Sequence, residues 1–457
     1  MKIIDHVLTN YAEQGQYSPN GLEAIWPIYR NQTPKLPTGL AQAAYTKFIN
    51  LPLRDQLSAF PLVLAFSEFD DTEEAWEKYD KISFRDLCTR LGVSKRCYKE
   101  AFEPMILTGL FAPGVECSAA AALGMAYFFV LSNQQAFDVR WCKGNIGEQI
   151  FDPWIQQMKT EVTNPVQFQL STKVTGFTLS NDDEDTTAKS KPTISGVRCI
   201  VEDGGSSKTE NVFEADEVVF AVGGAALNFF VKSSPQLSQY SEFRNFAGLR
   251  GTSVLATRLY LDRTIDTPYT ANACHSFDDG VGMTFFNIKE LHGDNFSDDA
   301  PGSVIEVDYY HSDTIMVMSD EDIAKKAKRD LDTMLGAKCA ASKVIDAAIV
   351  RLPNAVNWYY PDSYKKLPST QSTTFSNVYF AGDLVKTRHG SWSQEKAFVT
   401  GIEAANLIRG LPLDDGIIPL PKDEYHVAFG RTLSSTMKSV AGFGDKSKAP
   451  SLVDFLF

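Results

Sequence analysis

The sequence predicts an α/β fold, and three observations predict it. Asn377–Arg409 reads as a short apolar strand, Val378–Ala381, a stop at Gly382-Asp383, a polar loop, and a helix from about Ser393. Ala215–Gly224 is a second apolar strand, and it too ends in glycines, Gly223 and Gly224. Before and between these lie a helical block and three segments with period-two alternation, Ser253–Leu261, Met283–Ile288 and Ser303–Tyr310. Strand, glycine, acid, loop and capped helix together offer a helix N-terminus to a phosphorylated or electron-rich ligand.

Bulk properties narrow the function classes. A chain of 457 residues buries a large core and suggests two or three domains. Its 44 basic against 57 acidic residues leave a net charge of −13, which disfavours nucleic acid and anionic membrane surfaces as primary partners. The seven cysteines are scattered and never in C-x-x-C spacing, so reduced, mostly buried thiols are expected. The six histidines are equally dispersed, and no metal site is expected. Met1-Lys2-Ile3-Ile4-Asp5-His6 lacks a secretory apolar region, and the longest apolar run, Ala119–Leu131, is too short to span a bilayer. It reads as a buried helix; peripheral contact with a membrane stays open.

In chain order, residues 1–36 are weakly patterned and punctuated by Pro19, Pro27 and Pro34, so an irregular segment is expected. Residues 37–145 are helical. Leu40–Phe48 is followed by Leu51–Phe66, with Leu53, Leu57, Phe60 and Leu64 on one face and Pro61 splitting it. Ser83 caps a helix with Phe84, Leu87, Cys88 and Leu91 as its apolar face and Gly92 as its end; Ser94 opens the next, towards Pro104. Residues 146–226 begin with a helix, Glu148–Lys159, and continue as strands across Val166–Thr178, Ile194–Glu202 and Asn211–Glu214 up to the Ala215–Gly224 element. Residues 227–370 hold the alternating strands, a helix opened by Ser319 and running to about Leu335, the strand Lys343–Leu352, and the aromatic run Trp358-Tyr359-Tyr360. In 371–410 the helix carries Phe398, Ile402, Ala405 and Ile408 near a 3.6 period; Ser393 can cap it, and Glu395 suits the dipole of its first turn. Residues 411–457 hold no readable motif.

Phe380-Ala381-Gly382-Asp383, then Ser393-Gln394-Glu395-Lys396-Ala397, Thr400-Gly401 and Ala404-Ala405 resemble the C-terminal FAD-binding motif of the flavin amine oxidase superfamily. The likeness is greatest to its phytoene and zeta-carotene desaturase branch, where the form is F-A-G-D, a variable loop, and S-M-E-G-A-x-x-S-G-x-x-A-A. Lys173-Val174-Thr175-Gly176-Phe177 resembles the segment whose backbone contacts the adenine, and Ala215–Gly224 resembles A-D-x-V-I-x-A-x-P, with Gly223 in the place of proline. Segments 37–145 and 227–370 resemble the two halves of the substrate domain.

The resemblance implies a discontinuous, Rossmann-like FAD-binding domain interrupted by a mixed helical and sheet substrate domain. It implies noncovalent FAD contacted by Val174, Gly223, Gly382, Asp383, Glu395, Lys396 and Ala397, because no cysteine lies near Trp358–Tyr360. Gly382 would pass close to the ribityl chain, Asp383 would accept from its hydroxyls, and the helix start would face the flavin ring. The implied reaction is hydride transfer from a long apolar, polyene-type substrate, with a quinone or another carrier as electron acceptor and a plastid address. Serine at position 393, where amine oxidases commonly carry tyrosine, is desaturase-like; flavin-dependent isomerisation and amine oxidation are the rival chemistries. His389 is the acid/base candidate by side-chain type.

Two departures stand out. Lys396 occupies the position of a family glycine. The G-x-G-x-x-G loop that holds the FAD pyrophosphate is not found, since Gly280–Gly282 and Gly442–Gly444 lack the third glycine. That absence supports a rival reading as a truncated, catalytically inert binding protein, in which loss of the opening unit leaves a sheet edge unpaired.

Overall fold

The computed structural model describes residues 4–37, 39–129, 133–160, 163–180, 191–203, 207–296, 299–388 and 393–432. Where an irregular N-terminal segment is expected, the chain forms a hairpin of β1 (Gln14–Ser18) and β2 (Gly21–Trp26). Gly21, at φ +101°, makes the turn, a conformation glycine adopts without a Cβ clash. Tyr17, Ala24 and Trp26 are buried, so prolines placed outside the strands masked a real pattern. The two-residue strand β3 (Lys47–Phe48) pairs with β2.

The helical block follows. Leu53–Leu57 is a short helix, and α1 (Phe60–Glu68) starts anew with Pro61 in its first turn, the split that proline predicts. Then come α2 (Glu73–Tyr79), α3 (Phe84–Arg90), α4 (Glu103–Leu110) and α5 (Ala119–Phe129). Helix α5 is the centre of the block. Ala119, Ala120, Ala121, Ala122 and Leu123 are buried, and their small side chains let α1, α2, α3 and α4 approach its backbone. Among the described residues no helix is long and apolar enough to cross a membrane.

An antiparallel meander of β4 (Thr172–Ser180), β5 (Thr193–Asp203) and β6 (Ser207–Glu214) leads to β7 (Val218–Phe220) and α6 (Gly224–Ser233). The chain then adds β8 (Gly251–Leu261), β9 (Ala271–Asp278), β10 (Val281–Asn287), β11 (Val304–Tyr310), α7 (Asp320–Leu335) and β12 (Val344–Asn357). These strands join the N-terminal hairpin in one eight-stranded sheet, ordered β12-β8-β11-β10-β9-β1-β2-β3. Ser319 Oγ accepts the Asp322 N–H at the start of α7, as its sequence anticipates, and Ile323, Ala327 and Leu331 bury against Leu255, Leu259, Val307 and Tyr309. Each fully buried leucine contributes on the order of 2 kcal/mol.

The last strand, β13 (Val378–Phe380), pairs in parallel with β7, and α8 (Gln394–Ile408) follows. Phe220 and Phe380 stack at 5.6 Å, and Phe177, Phe243 and Phe246 pack around them. The outer edge of β13 is not left unpaired. Ser372 N–H donates to Val378 O at 2.9 Å, and Phe380 N–H donates to Thr370 O at 2.8 Å. The segment just before the strand folds back and closes that edge.

Candidate active site

The glycine-acid stop after β13 meets the glycine pair after β7 through one asparagine. Asn357 Nδ2 donates to Asp383 Oδ1 at 2.6 Å, while its Oδ1 accepts the Gly224 N–H at 2.7 Å. Gly223 is the N-cap residue of α6, so the buried Gly224 amide that Asn357 binds is one of the helix's free N-terminal donors. Gly382 lies at φ +133°, a conformation that L side chains rarely adopt. Its N–H donates to Thr400 Oγ1 at 2.9 Å, which pins the stop against α8. Tyr359 Oη donates to Asp383 O at 3.1 Å. Burial pushes the Asp383 carboxyl up; the Lys396 ammonium and the Asn357 amide act against that.

Helix α8 presents the face opposite to the one its apolar period suggests. Phe398 is 54% exposed, and Ala405 and Ile408 are exposed too, while Lys396, Thr400, Glu403 and Asn406 are buried. Each buried polar group finds a partner, which is the condition for burying it. Glu403 accepts from Thr387 at 2.7 Å and from Thr370 at 3.2 Å, and Asn406 donates to the carbonyls of Leu413 and Asp415. Outside, Phe398 meets Trp154 at 6.0 Å. Ser393 is the N-cap residue by backbone, but its hydroxyl makes no cap bond, contrary to the sequence expectation.

Lys396 points inward. Burial holds its ammonium down to about 8, against the pull of Asp383, Asp71 and Glu403. It forms part of the wall of a cavity of about 400 Å³, a size in the usual range for small-molecule sites. Trp76, Phe128, Tyr364 and Leu367 supply its apolar wall, and Asp71, Lys386 and Arg388 supply charge. Trp76 and Tyr364 stack at 4.6 Å, and Lys386 Nζ sits 4.5 Å above the Tyr364 ring. Asp71 is 6% exposed and has φ +59°. Its Oδ1 accepts from Trp76 Nε1 at 2.7 Å. Burial raises its carboxyl to about 6, while Lys396 and Arg388 favour ionisation.

Of the residues read as cofactor contacts, Gly223, Gly382, Asp383 and Lys396 converge on one region. Ala397 is half-buried, its N–H bonded to Ser393 O at 3.1 Å. Glu395 is exposed in the first turn of α8, directed away from the buried face. Val174 lies in β4, half-buried against the core that contains Phe177 and Phe220. His389 and Trp392 lie outside the described residues. Trp358 and Tyr360 pack on each other and under Arg250, and Tyr359 is core. Asp71 and Asn357 escape a sequence reading. An Asp-Asp-Thr-Glu run looks like an ordinary helix start, and an asparagine at a strand end looks like a turn former.

The fold is shared with solved flavoenzyme structures. An oxidoreductase from Methanosarcina mazei is 11% identical with a TM-score of 0.53, over 88% of this chain and 82% of that one. Cyclohexylamine oxidase from Brevibacterium oxydans IH-35A is 12% identical with a TM-score of 0.53, over 88% and 82%. A putrescine oxidase triple mutant is 13% identical with a TM-score of 0.57, over 88% and 83%. No curated protein sequence matches the chain. The model of the flavin-containing amine oxidoreductases matches residues 10–409, and the chain therefore belongs to that family of FAD-dependent oxidoreductases.

Proposed function

We propose that this oxidoreductase dehydrogenates a long apolar, polyene-type substrate, using noncovalent FAD and passing electrons to a quinone or similar carrier. The observation that carries the reading is the Asp383–Asn357–Gly224 join beside a cavity walled by Trp76, Phe128, Tyr364 and Leu367.

The residues present fit the ribityl and ring end of FAD. Asp383 is an acceptor for sugar-alcohol hydroxyls, Gly382 exposes bare backbone, and the starts of α6 and α8 bring positive dipole ends. When bound, FAD supplies the hydride acceptor. The chain's own share is orientation and exclusion of water. Asp383 and Asn357 fix the polar end, Lys396 places a buried cation near it, and α5 closes the cavity on one side. Val174 remains the expected adenine contact.

The helical block also carries an apolar stripe suited to collecting such a substrate. Leu53, Leu57 and Phe60 are 68%, 62% and 65% exposed, Leu53 and Leu57 one turn apart on the short helix and Phe60 at the start of α1. Contact with a lipid surface accounts for an apolar stripe on a chain of this net charge. The desaturase likeness favours a plastid address.

One observation favours amine oxidation as a second reading. The Tyr364 face already accommodates the Lys386 ammonium, with Glu73 Oε1 at 3.9 Å, so the cavity has the aromatic and acidic groups that recognise cations. Anaerobic mixing of the FAD-loaded chain with zeta-carotene or with putrescine separates the two. Bleaching of the flavin by zeta-carotene, with a longer polyene as product, is expected. Bleaching by putrescine alone would replace this reading with the amine one.

A further inference from the structure

Removing two hydrogens from adjacent carbons releases a hydride and a proton, and the proton needs an acceptor inside a dry site. We propose that Asp71 is that acceptor: its buried carboxylate is among the groups that line the cavity together with Lys396, and its Oδ2 is unpartnered. The proposal rests on the dehydrogenation reading for its substrate.

Four observations support it. Asp71 is more than nine-tenths buried, and among the described residues no donor reaches Oδ2. A buried, unsatisfied carboxylate oxygen costs stability unless a ligand or a proton uses it. The side chain is held, since Trp76 Nε1 donates to Oδ1 at 2.7 Å. The backbone is left-handed at φ +59°, a conformation that Asp and Asn adopt more readily than other side chains, so the loop holds the residue in one fixed geometry. The charged and titratable groups around it are Asp70 and Glu73 on its own segment, Tyr364, Lys386 and Arg388 from the loops flanking β13, and Lys396 from α8. The cations keep Asp71 ionised near neutral pH, the state a base requires.

The step balances. One substrate carbon loses a hydride to the FAD oxidant, its neighbour loses a proton to Asp71 Oδ2, and the electron pair of that second C–H bond becomes the new C=C π bond. Lys396 is a positioning residue that favours the ionised carboxylate; it takes no hydrogen itself.

Two readouts test this on the FAD-loaded protein. The first needs no substrate. Difference infrared titration is expected to show a carboxyl ionising at about pH 6 that is lost in Asp71→Asn and moved to higher pH in Lys396→Met, while the raised Asp80 and Asp308 signals stay in both variants. Asparagine tolerates the left-handed conformation and keeps the acceptor for Trp76, so the variant folds. The second is the rate of anaerobic flavin bleaching by zeta-carotene. It is expected to fall on the acid side with the same ionisation, and by roughly 10²–10⁴-fold in Asp71→Asn. Failure of zeta-carotene to bleach the wild-type flavin would sink the polyene reading, not Asp71. A carboxyl at position 71 that stays ionised through the acid range, or an Asp71→Asn variant that bleaches at the wild-type rate, would overturn the proposal.

Discussion

Lys396 stands where its motif carries glycine, and the side chain turns into the protein towards three carboxyls, Asp71, Asp383 and Glu403. The folded-state value of Asp71, about 6, lies above its unfolded 3.8, so the native state binds the extra proton between those values. The resulting stability is fully present at low pH and is lost as pH rises through about 6. At neutral pH the buried carboxylate is therefore a cost of about 3 kcal/mol, which Asp71→Asn removes. Urea unfolding should find Asp71→Asn more stable than wild type at neutral pH, with the difference vanishing towards pH 3.8. A variant less stable at both extremes would contradict this. Asn357 poses the opposite case. Replacing it with alanine strips Asp383 and Gly224 of a partner at once, and should cost about 1–3 kcal/mol in the same measurement.

At the scale of elements, α8 shows what a periodic reading can and cannot see. Its length, its extended N-cap residue and its place after Gly382-Asp383 were legible, because each is set by local chemistry. Its orientation was not. Phe398, Ile402, Ala405 and Ile408 form the apolar stripe, yet the helix buries Lys396, Thr400, Glu403 and Asn406. The partners that allow this, Thr370, Thr387, Gly382 and the carbonyls of Leu413 and Asp415, come from loops on either side. No window of sequence states that those loops will wrap the polar face. The expected outcome of Phe398→Asp is a stability change within about 0.5–1 kcal/mol, whereas Glu403→Ala should cost about 2–3 kcal/mol by leaving a buried ammonium short of a counter-charge. Thermal melts of the two variants decide it, and equal losses would mean the helix faces are misassigned. Helix α7 is the contrasting case, where apolar period, Ser319 cap and buried face agree.

Across the whole molecule, the α/β class and the alternating sheet segments were readable from pattern, and the FAD motif from resemblance. The N-terminal hairpin's place beside β9 and the closure of the β13 edge by Thr370–Ser372 were not, since both depend on pairings between distant segments. The join of Asp71 on the helical block with Lys396 on α8 is equally remote in sequence. Exposed Leu53, Leu57 and Phe60 also belong to this scale, because they concern how the molecule meets its surroundings. Substituting all three with serine should abolish co-sedimentation with phosphatidylcholine vesicles while leaving the melting temperature unchanged. Undiminished vesicle binding would move the lipid contact elsewhere.

The central claim is that the Gly382-Asp383 stop, tied through Asn357 to the start of α6, holds flavin. Titrating FAD against the purified chain and its Asp383→Asn variant, with flavin fluorescence as the signal, tests it most directly. The variant keeps the shape of a carboxyl that burial already disfavours, so it folds. The account predicts saturable quenching in the wild type and affinity at least about tenfold weaker in the variant, a loss of about 1.4 kcal/mol. No saturable binding, or equal affinity in the two proteins, would contradict it.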